Sequence, residues 1–440
     1  MGLIDFLFRM LGLKRESRGE LPTSVPTKPR PAAKTQTKTS YPRLHPLRFK
    51  RERWSKVKKS SQKLSASTRP FSVPDAKTER PYPLANQDVR YGGYLDLSQD
   101  SDPVQLRELE LPQFTNPPEL AEWLGIPVGQ LGWLTYQFDE GHRPLTQRAG
   151  HYHLRWQPKR NYSVRLIESP KPLLKQVQRK ILREILDHVP AHSAAHGFVS
   201  GESILTNAKP HCRQRVIVKF DLENFYPRIR FRKVTAIFRA MGYSREAAIW
   251  LARLCTSNIP VDTKLPSMDP EVIFLYTPQH LPQGAPTSPA LANLAAYGLD
   301  VRLEGLARSF GANYTRYADD LTFSGDDKFL RSLKIFIPLV EQIIRETGFS
   351  VNKEKRKVIR DNQRQAVTGV VVNQHPNMNR KDYDRLKAIL NNCVRHGAES
   401  QNRDQHPDYQ AHLRGRVAHL LQLNPKKGTK LQRLFERIQW

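Results

Sequence analysis

Three cysteines in 440 residues, Cys212, Cys255 and Cys393, are too few, too far apart and odd in number for a disulfide framework, and none forms a C-x-x-C pair that would begin a zinc knuckle. No apolar run approaches the roughly 20 residues that a membrane-spanning helix needs. The start of the chain has neither the basic n-region nor the small-residue cleavage site of a secretory signal. Met1-Gly2 is followed at position 6 by Phe6 rather than Ser or Thr, which departs from the myristoylation pattern. A reducing cytoplasm and no membrane partner are expected. Acidic residues are also scarce, 42 Asp and Glu against 71 Lys and Arg, for a formal charge of +29. That surplus favours a polyanionic partner, nucleic acid above all. A ribosomal-type binding protein would share it, so charge alone does not make an enzyme.

What is present is a pair of adjacent carboxylates inside a strand-like run, Tyr314-Thr-Arg-Tyr-Ala-Asp319-Asp320-Leu-Thr-Phe-Ser324. Its β-branched and aromatic residues alternate with polar ones, which predicts two short strands bending near Ala318-Asp319. One carboxylate then sits at a hairpin tip and its neighbour points to the other face, an arrangement better suited to gripping a cation than to sharing a proton. Taken alone, Asp-Asp in a turn is common. A second carboxylate strand upstream shifts the balance. In Arg215-Val-Ile-Val-Lys-Phe-Asp221, alternation turns Val216, Val218 and Phe220 toward a core, and Ile217, Lys219 and Asp221 the other way. Three aspartates on neighbouring strands repel one another unless cations sit among them. Two Mg²⁺ about 3.5–4 Å apart would activate an attacking oxygen and stabilise a departing pyrophosphate, so phosphoryl transfer is the predicted chemistry.

Three blocks in this order, Phe220-Asp-Leu-Glu-Asn-Phe-Tyr226, Leu281-Pro-Gln-Gly-Ala-Pro-Thr-Ser288 and Tyr317-Ala-Asp-Asp320, resemble those of reverse transcriptases, and within that superfamily the chain is most similar to the retron reverse transcriptases of bacteria. The resemblance implies an α+β right-hand polymerase fold, with an antiparallel-sheet palm, helical fingers and a helical thumb. It implies RNA-templated DNA synthesis in which Asp221, Asp319 and Asp320 are catalytic and hold two Mg²⁺, with Leu222 in the metal set and dNTPs as substrates. Nucleotide-binding roles fall on Arg165, whose forked charge suits a triphosphate, and on Tyr226, whose ring would clash with a 2′-hydroxyl. They fall also on Gln283 and on Gly284, the glycine letting backbone approach the ligand. Lys355, in Asn352-Lys-Glu-Lys-Arg-Lys-Val358, would lie beside the pyrophosphate, with Lys353 and Lys357 as rivals.

Asn207-Ala-Lys-Pro-His211 and Val367-Thr-Gly369 resemble retron signatures, which makes Asn207, His211, Thr368 and Gly369 RNA-binding candidates. The structural readings are that Asn207 and His211 hold a loop and that Gly369 is a bulge in a core strand. By the same resemblance the partner is a cognate structured non-coding RNA, primed from one of its own 2′-hydroxyls. The DNA product stays joined to that RNA, and such systems resemble anti-phage defence modules, often with a separate effector protein. A group II intron-type maturase or another defence reverse transcriptase is the alternative enzyme; a non-catalytic RNA-binding protein of polymerase shape is the alternative class. Oligomeric state is not legible.

The chain divides into residues 1–110, a basic and mostly disordered extension; 111–215, N-terminal helices and fingers; 216–372, the palm with a fingers insertion at about 239–282; and 373–440, the thumb. A short apolar helix is predicted over residues 2–13, followed to about residue 90 by Pro-, Ser-, Thr- and Lys/Arg-rich sequence without periodicity. Residues 1–90 hold 21 Lys and Arg against 7 Asp and Glu, so about half of the net charge lies in a fifth of the chain. The basic run at residues 48–59, with Trp54 inside it, suits phosphate tracking and base stacking. Further along, 257–280 is predicted as an irregular loop and 291–303 as one buried helix. Residues 330–347 form a helix interrupted by Pro338, 367–373 one strand, and the thumb two helical patterns.

Overall fold

The computed structural model describes residues 76–440, apart from 86, 89–91, 137–142, 159–163 and 267–269. The helix expected over residues 2–13 and the basic run at 48–59 lie outside the described residues. Regular structure begins well before residue 111. A small sheet joins Ala76–Lys77, Gly93–Leu95 and Gln87–Asp88, and a helix follows at Pro103–Glu108. Asp102 caps that helix through its side chain on the Gln105 amide, and Leu106 is buried under it. These pieces are too short to show a period in the sequence. Long-range backbone bonds hold them instead, the Asp102 amide to the Gly242 carbonyl (2.7 Å) and the Glu246 amide to the Leu97 carbonyl (3.0 Å).

Asn116 accepts the Glu119 amide and starts the helix Pro117–Leu124, with proline in its first turn, the cap-then-proline order that residues 116–118 spell out. Strands β1 (Tyr152–Pro158) and β2 (Val164–Pro170) pair antiparallel, with Gln157 opposite Arg165. Helix α1 (Pro172–Glu184) buries Leu174, Val177 and Ile181 at the spacing of one helix face. A one-turn helix α2 (Ile204–Ala208), closed by a capping box from Ser203 and Thr206, leads into the palm.

The palm sheet is built from β3 (Val216–Asp221), β4 (Asn313–Tyr317), β5 (Asp320–Gly325) and β6 (Lys357–Arg360), in the spatial order β4-β5-β3-β6 and antiparallel throughout. Val216, Val218 and Phe220 enter the main core beside Phe323, Phe329 and Phe336. Burying each such side chain contributes roughly 1.5–3 kcal/mol. Ile217 points the opposite way, as period two requires, yet it is buried too, because α2 and the Val367–Val372 segment cover that face around Ala208, Val367, Val370 and Val372.

Helices α3 (Phe231–Ala240), α4 (Arg245–Cys255), α5 (Ser288–Ala295), α6 (Tyr297–Ser309) and α7 (Asp327–Glu346) supply the rest of the main core. Ala247, Trp250, Leu251 and Leu254 of α4 are fully buried in that core. Two expectations change here. The loop expected at 257–280 contains a helix, Pro270–Tyr276, whose Leu275 and Tyr276 pack on Leu166 and Ile259. The single helix expected over 291–303 is two, broken at Ala296, where ψ rises to 0°. Pro338 lies inside α7, and the chain leaves that helix through Gly348 at φ +87°.

After β6 the predicted single strand is a hairpin, Ala366–Val367 paired with Val370–Val371, with Thr368 (φ +46°) and Gly369 (φ +84°) as its two turn residues. Three helices follow, α8 (Arg380–His396), α9 (Tyr409–Leu423) and α10 (Pro425–Phe435), around their own core of Leu386, Leu390, Leu413, Leu420 and Leu431. A Cβ on Gly428 would stand 2.3 Å from the Leu421 Cα, so only glycine lets α10 lie this close to α9. No helix of the described residues is long and apolar enough to cross a membrane.

Candidate active site

Asp221 ends β3 and Asp320 begins β5, and the two are register partners across the antiparallel pair. Directly opposed residues project from the same face of a sheet, so both carboxylates sit on one side at one end of the palm. Asp319 lies in the bend between β4 and β5, following Ala318 in the left-handed region at φ +55°. Its carbonyl accepts the Leu222 amide at 2.9 Å, and the Asp221 carbonyl accepts the Asn352 amide at 2.9 Å, which ties the bend to the end of β3. The Leu222 side chain is buried and apolar, so the carbonyl is its only donor atom for a cation.

Burial first, and then the Asp221 charge, push the Asp319 carboxyl up to about 6. Asp320 is raised as well, again chiefly by burial, with Lys219 opposing and Asp221 adding to the shift. Burial is thus the main cause of both shifts, with carboxylate repulsion adding to it. Lys355 offsets part of that repulsion, its Nζ standing 3.0 Å from both Asp221 oxygens. Lys357 lies instead in β6 opposite Lys219, so among the rival lysines Lys355 is the one placed on an aspartate. A donor set made wholly of carboxylate oxygens, with a carbonyl beside it, fits a hard divalent cation. Among the described residues no three His, Cys, Asp or Glu side chains already surround one point. Asp221 is turned onto the Lys355 ammonium, and that is the contact a metal ion would replace.

Among the nucleotide-binding candidates, Tyr226 lies within reach of the Asp319 charge. Tyr226 packs on the main core beside Phe225, and its hydroxyl is pushed up to about 12 by burial and then by the Asp319 charge. The turn after it meets the loop of Gln283 through the Leu281 amide on the Ile229 carbonyl (2.9 Å). That loop in turn meets β2 through the Glu168 amide on the Gln283 carbonyl (2.9 Å), three residues after Arg165. The Arg165 Nε is buried without a hydrogen-bond partner among the described residues. A Cβ on Gly284 would stand 2.9 Å from the Glu168 carbonyl, so with φ +132° the glycine is needed where the loop crosses β2.

The RNA-binding candidates lie elsewhere. His211 is fully buried, with Nδ1 2.7 Å from Ser324 Oγ and Nε2 2.8 Å from Thr315 Oγ1. Asn207 is 1% exposed and reaches Thr368 Oγ1 at 3.4 Å. Both side chains are turned inward, His211 onto the palm strands and Asn207 onto the following hairpin, as the loop-holding alternative expects. Gly369 is exposed and Thr368 half-buried at the hairpin turn, away from the aspartates. Two buried pairs escaped the sequence: Glu168 with His280 (2.9 Å) and Asp300 with Arg316 (2.6 Å). Their partners lie 112 and 16 positions apart, and in strand alternation Arg316 reads as an ordinary polar residue.

With that geometry in view, residues 157–376 match the family described as reverse transcriptase (RNA-dependent DNA polymerase). The chain is 40% identical over 335 residues to the Retron Mx65 reverse transcriptase of Myxococcus xanthus, covering 76% of this chain and 74% of that protein. It is 36% identical over 326 residues to the Retron Mx162 reverse transcriptase of the same organism, covering 70% and 64%. Over 338 residues it is 30% identical to the Retron Ec86 reverse transcriptase of Escherichia coli, covering 76% and 93%.

Proposed function

The chain belongs to the retron reverse transcriptases, RNA-directed DNA polymerases that use a divalent metal and dNTPs, and on that premise we propose that it copies a structured non-coding RNA into single-stranded DNA left joined to that RNA. Priming from a 2′-hydroxyl of the RNA, action in the cytoplasm and service in anti-phage defence beside a separate effector protein belong to the same reading. The observation that carries the catalytic part is the register of Asp221 against Asp320, with the Asp319 carbonyl bound to the Leu222 amide. Two Mg²⁺ held by Asp221, Asp319 and Asp320, with the Leu222 carbonyl as a further donor, would supply the positive charge that the attacking oxygen and the departing pyrophosphate require.

The rest is work for the chain's own side chains. Arg165 grips the triphosphate, and Gln283 positions the nucleotide or the primer end. Tyr226 closes the space that a 2′-hydroxyl on the incoming sugar would need. The primer hydroxyl gives up its proton to solvent water and bonds to the α-phosphorus as the bond to pyrophosphate breaks, and the Lys355 ammonium donates its own proton to that leaving group. In the free enzyme the Lys355 ammonium rests on Asp221. From there its ammonium is placed to turn from Asp221 toward the pyrophosphate as negative charge builds on that leaving group.

The decisive variant is Asp319→Asn with Asp320→Asn. It is expected to abolish dNTP incorporation in primer extension while RNA binding by filter retention stays within about threefold of wild type. Undiminished synthesis contradicts the mechanism. Sequencing of copurifying nucleic acid tests the retron part, since a short DNA joined to a neighbouring transcript is the expected product.

A further inference from the structure

We propose that Arg316 is a positioning residue for DNA synthesis, its buried guanidinium clamping the Ala318 carbonyl so that the bend presents Asp319 at the end of the palm. The inference rests on the reading of Asp319 as catalytic. Arg316 lies in β4 on the side that faces the main core, with no exposure at all. Its Nε and Nη2 donate to the two oxygens of Asp300 in α6, at 2.8 and 2.6 Å. Its Nη1 donates to Asn293 Oδ1 in α5 at 2.9 Å and to the Ala318 carbonyl at 3.1 Å. That carbonyl belongs to the residue immediately before Asp319, held at φ +55° without being glycine.

The surroundings close on the same point. Asn293 Nδ2 donates to the Gly197 carbonyl at 2.8 Å, and a Cβ on Gly197 would stand 2.8 Å from the Ala318 nitrogen. The Arg316 main chain is fixed as well, its amide to the Ala194 carbonyl (2.7 Å) and its carbonyl to the His196 amide (2.8 Å). Tyr314 donates to Asp300 Oδ1 at 2.8 Å. The bend is thus gripped from the core side by the Arg316 fork and from its edge by Gly197.

Stability alone does not call for this arrangement. A buried ion pair repays its desolvation poorly, and apolar residues of similar volume are often as stable. What apolar residues cannot supply is a donor to the Ala318 carbonyl. A left-handed non-glycine residue is strained and persists only where its surroundings over-determine it, and such strain concentrates at functional sites. The chemistry at Asp319 needs placement to within a fraction of an ångström. Misplacement by about 1 Å lowers turnover by about 10²-fold without a matching loss of binding.

The test is Arg316→Met with Asp300→Asn, which removes both buried charges and leaves an acceptor for Tyr314. A folded variant with kcat for dNTP addition reduced about 10²-fold, with KM for dNTP and the dissociation constant for primer–template within about threefold, is expected. Hydrogen exchange should speed up in a peptide covering residues 313–325 and nowhere else in the palm. A folded variant with wild-type kcat, or with exchange unchanged at the bend, overturns the proposal. Should the double variant fail to fold, Arg316→Lys decides, because its ammonium keeps the charge pair with Asp300 and has no fork left for the Ala318 carbonyl. A fall in kcat at unchanged KM then supports the clamp, and unchanged kcat refutes it. Loss of the catalytic reading itself shows separately, as retained synthesis in the Asp319→Asn, Asp320→Asn protein.

Discussion

Acid should loosen the palm through one histidine. His211 is buried between the hairpin strands, with both ring nitrogens engaged by Ser324 and Thr315, and its pKa is lowered to about 3 by burial first and then by His196 and Lys219. In the unfolded chain the same ring titrates near 6.5. The folded state therefore holds the neutral ring. Its contribution is complete above about pH 6.5 and is lost as pH falls toward 3, because over that window the unfolded chain binds a proton that the folded chain refuses. Between about pH 7.5 and 5 the linkage integral amounts to about 2 kcal/mol, a large share of a domain's net stability. Other groups titrate over the same range, so the measurement compares wild type with His211→Gln. Glutamine keeps a donor and an acceptor and has no proton to take up. Urea unfolding at several pH values should give two curves that converge by about 2 kcal/mol on acidification, while RNA affinity near neutral pH is the same for both proteins. Parallel curves would refute the buried neutral ring, and a large loss of RNA affinity in a stable His211→Gln protein would restore the RNA-binding role that burial denies it.

Two further predictions concern the site. Lys355→Met should lower the rate of single-nucleotide addition by about 10²-fold through loss of a positioned proton donor, with Lys353→Met and Lys357→Met within about threefold of wild type; equal effects of all three substitutions would show a diffuse basic surface rather than one placed lysine. Tyr226→Ala should admit ribonucleotides, measured as a fall of about tenfold or more in the kcat/KM ratio of dNTP to rNTP, and an unchanged ratio means that the ring only packs.

The sequence by itself determined the strands that bring the three aspartates together. Alternation in residues 216–221 and 314–324 separates core-facing from site-facing positions, and the ordered motifs named the aspartates, because period two and a tight bend are local properties of the chain. Helix ends were legible where a single residue sets them, as at Asn116 with Pro117 and at Gly348. Tertiary structure alone decided which of three lysines lies on Asp221, that His211 and Asn207 face inward, that Gly284 makes room for the Glu168 carbonyl, and that residues 76–108 join the folded part. It also decided the clamp on Ala318, which draws Arg316, Asp300, Asn293 and Gly197 from four separate segments. The reason is range. Backbone preference and hydrophobic period act over a few residues and leave their mark in the local sequence. A buried charge finds its partner through the packing of elements distant along the chain, and an arginine in a strand reads the same whether it meets water or an aspartate in the core.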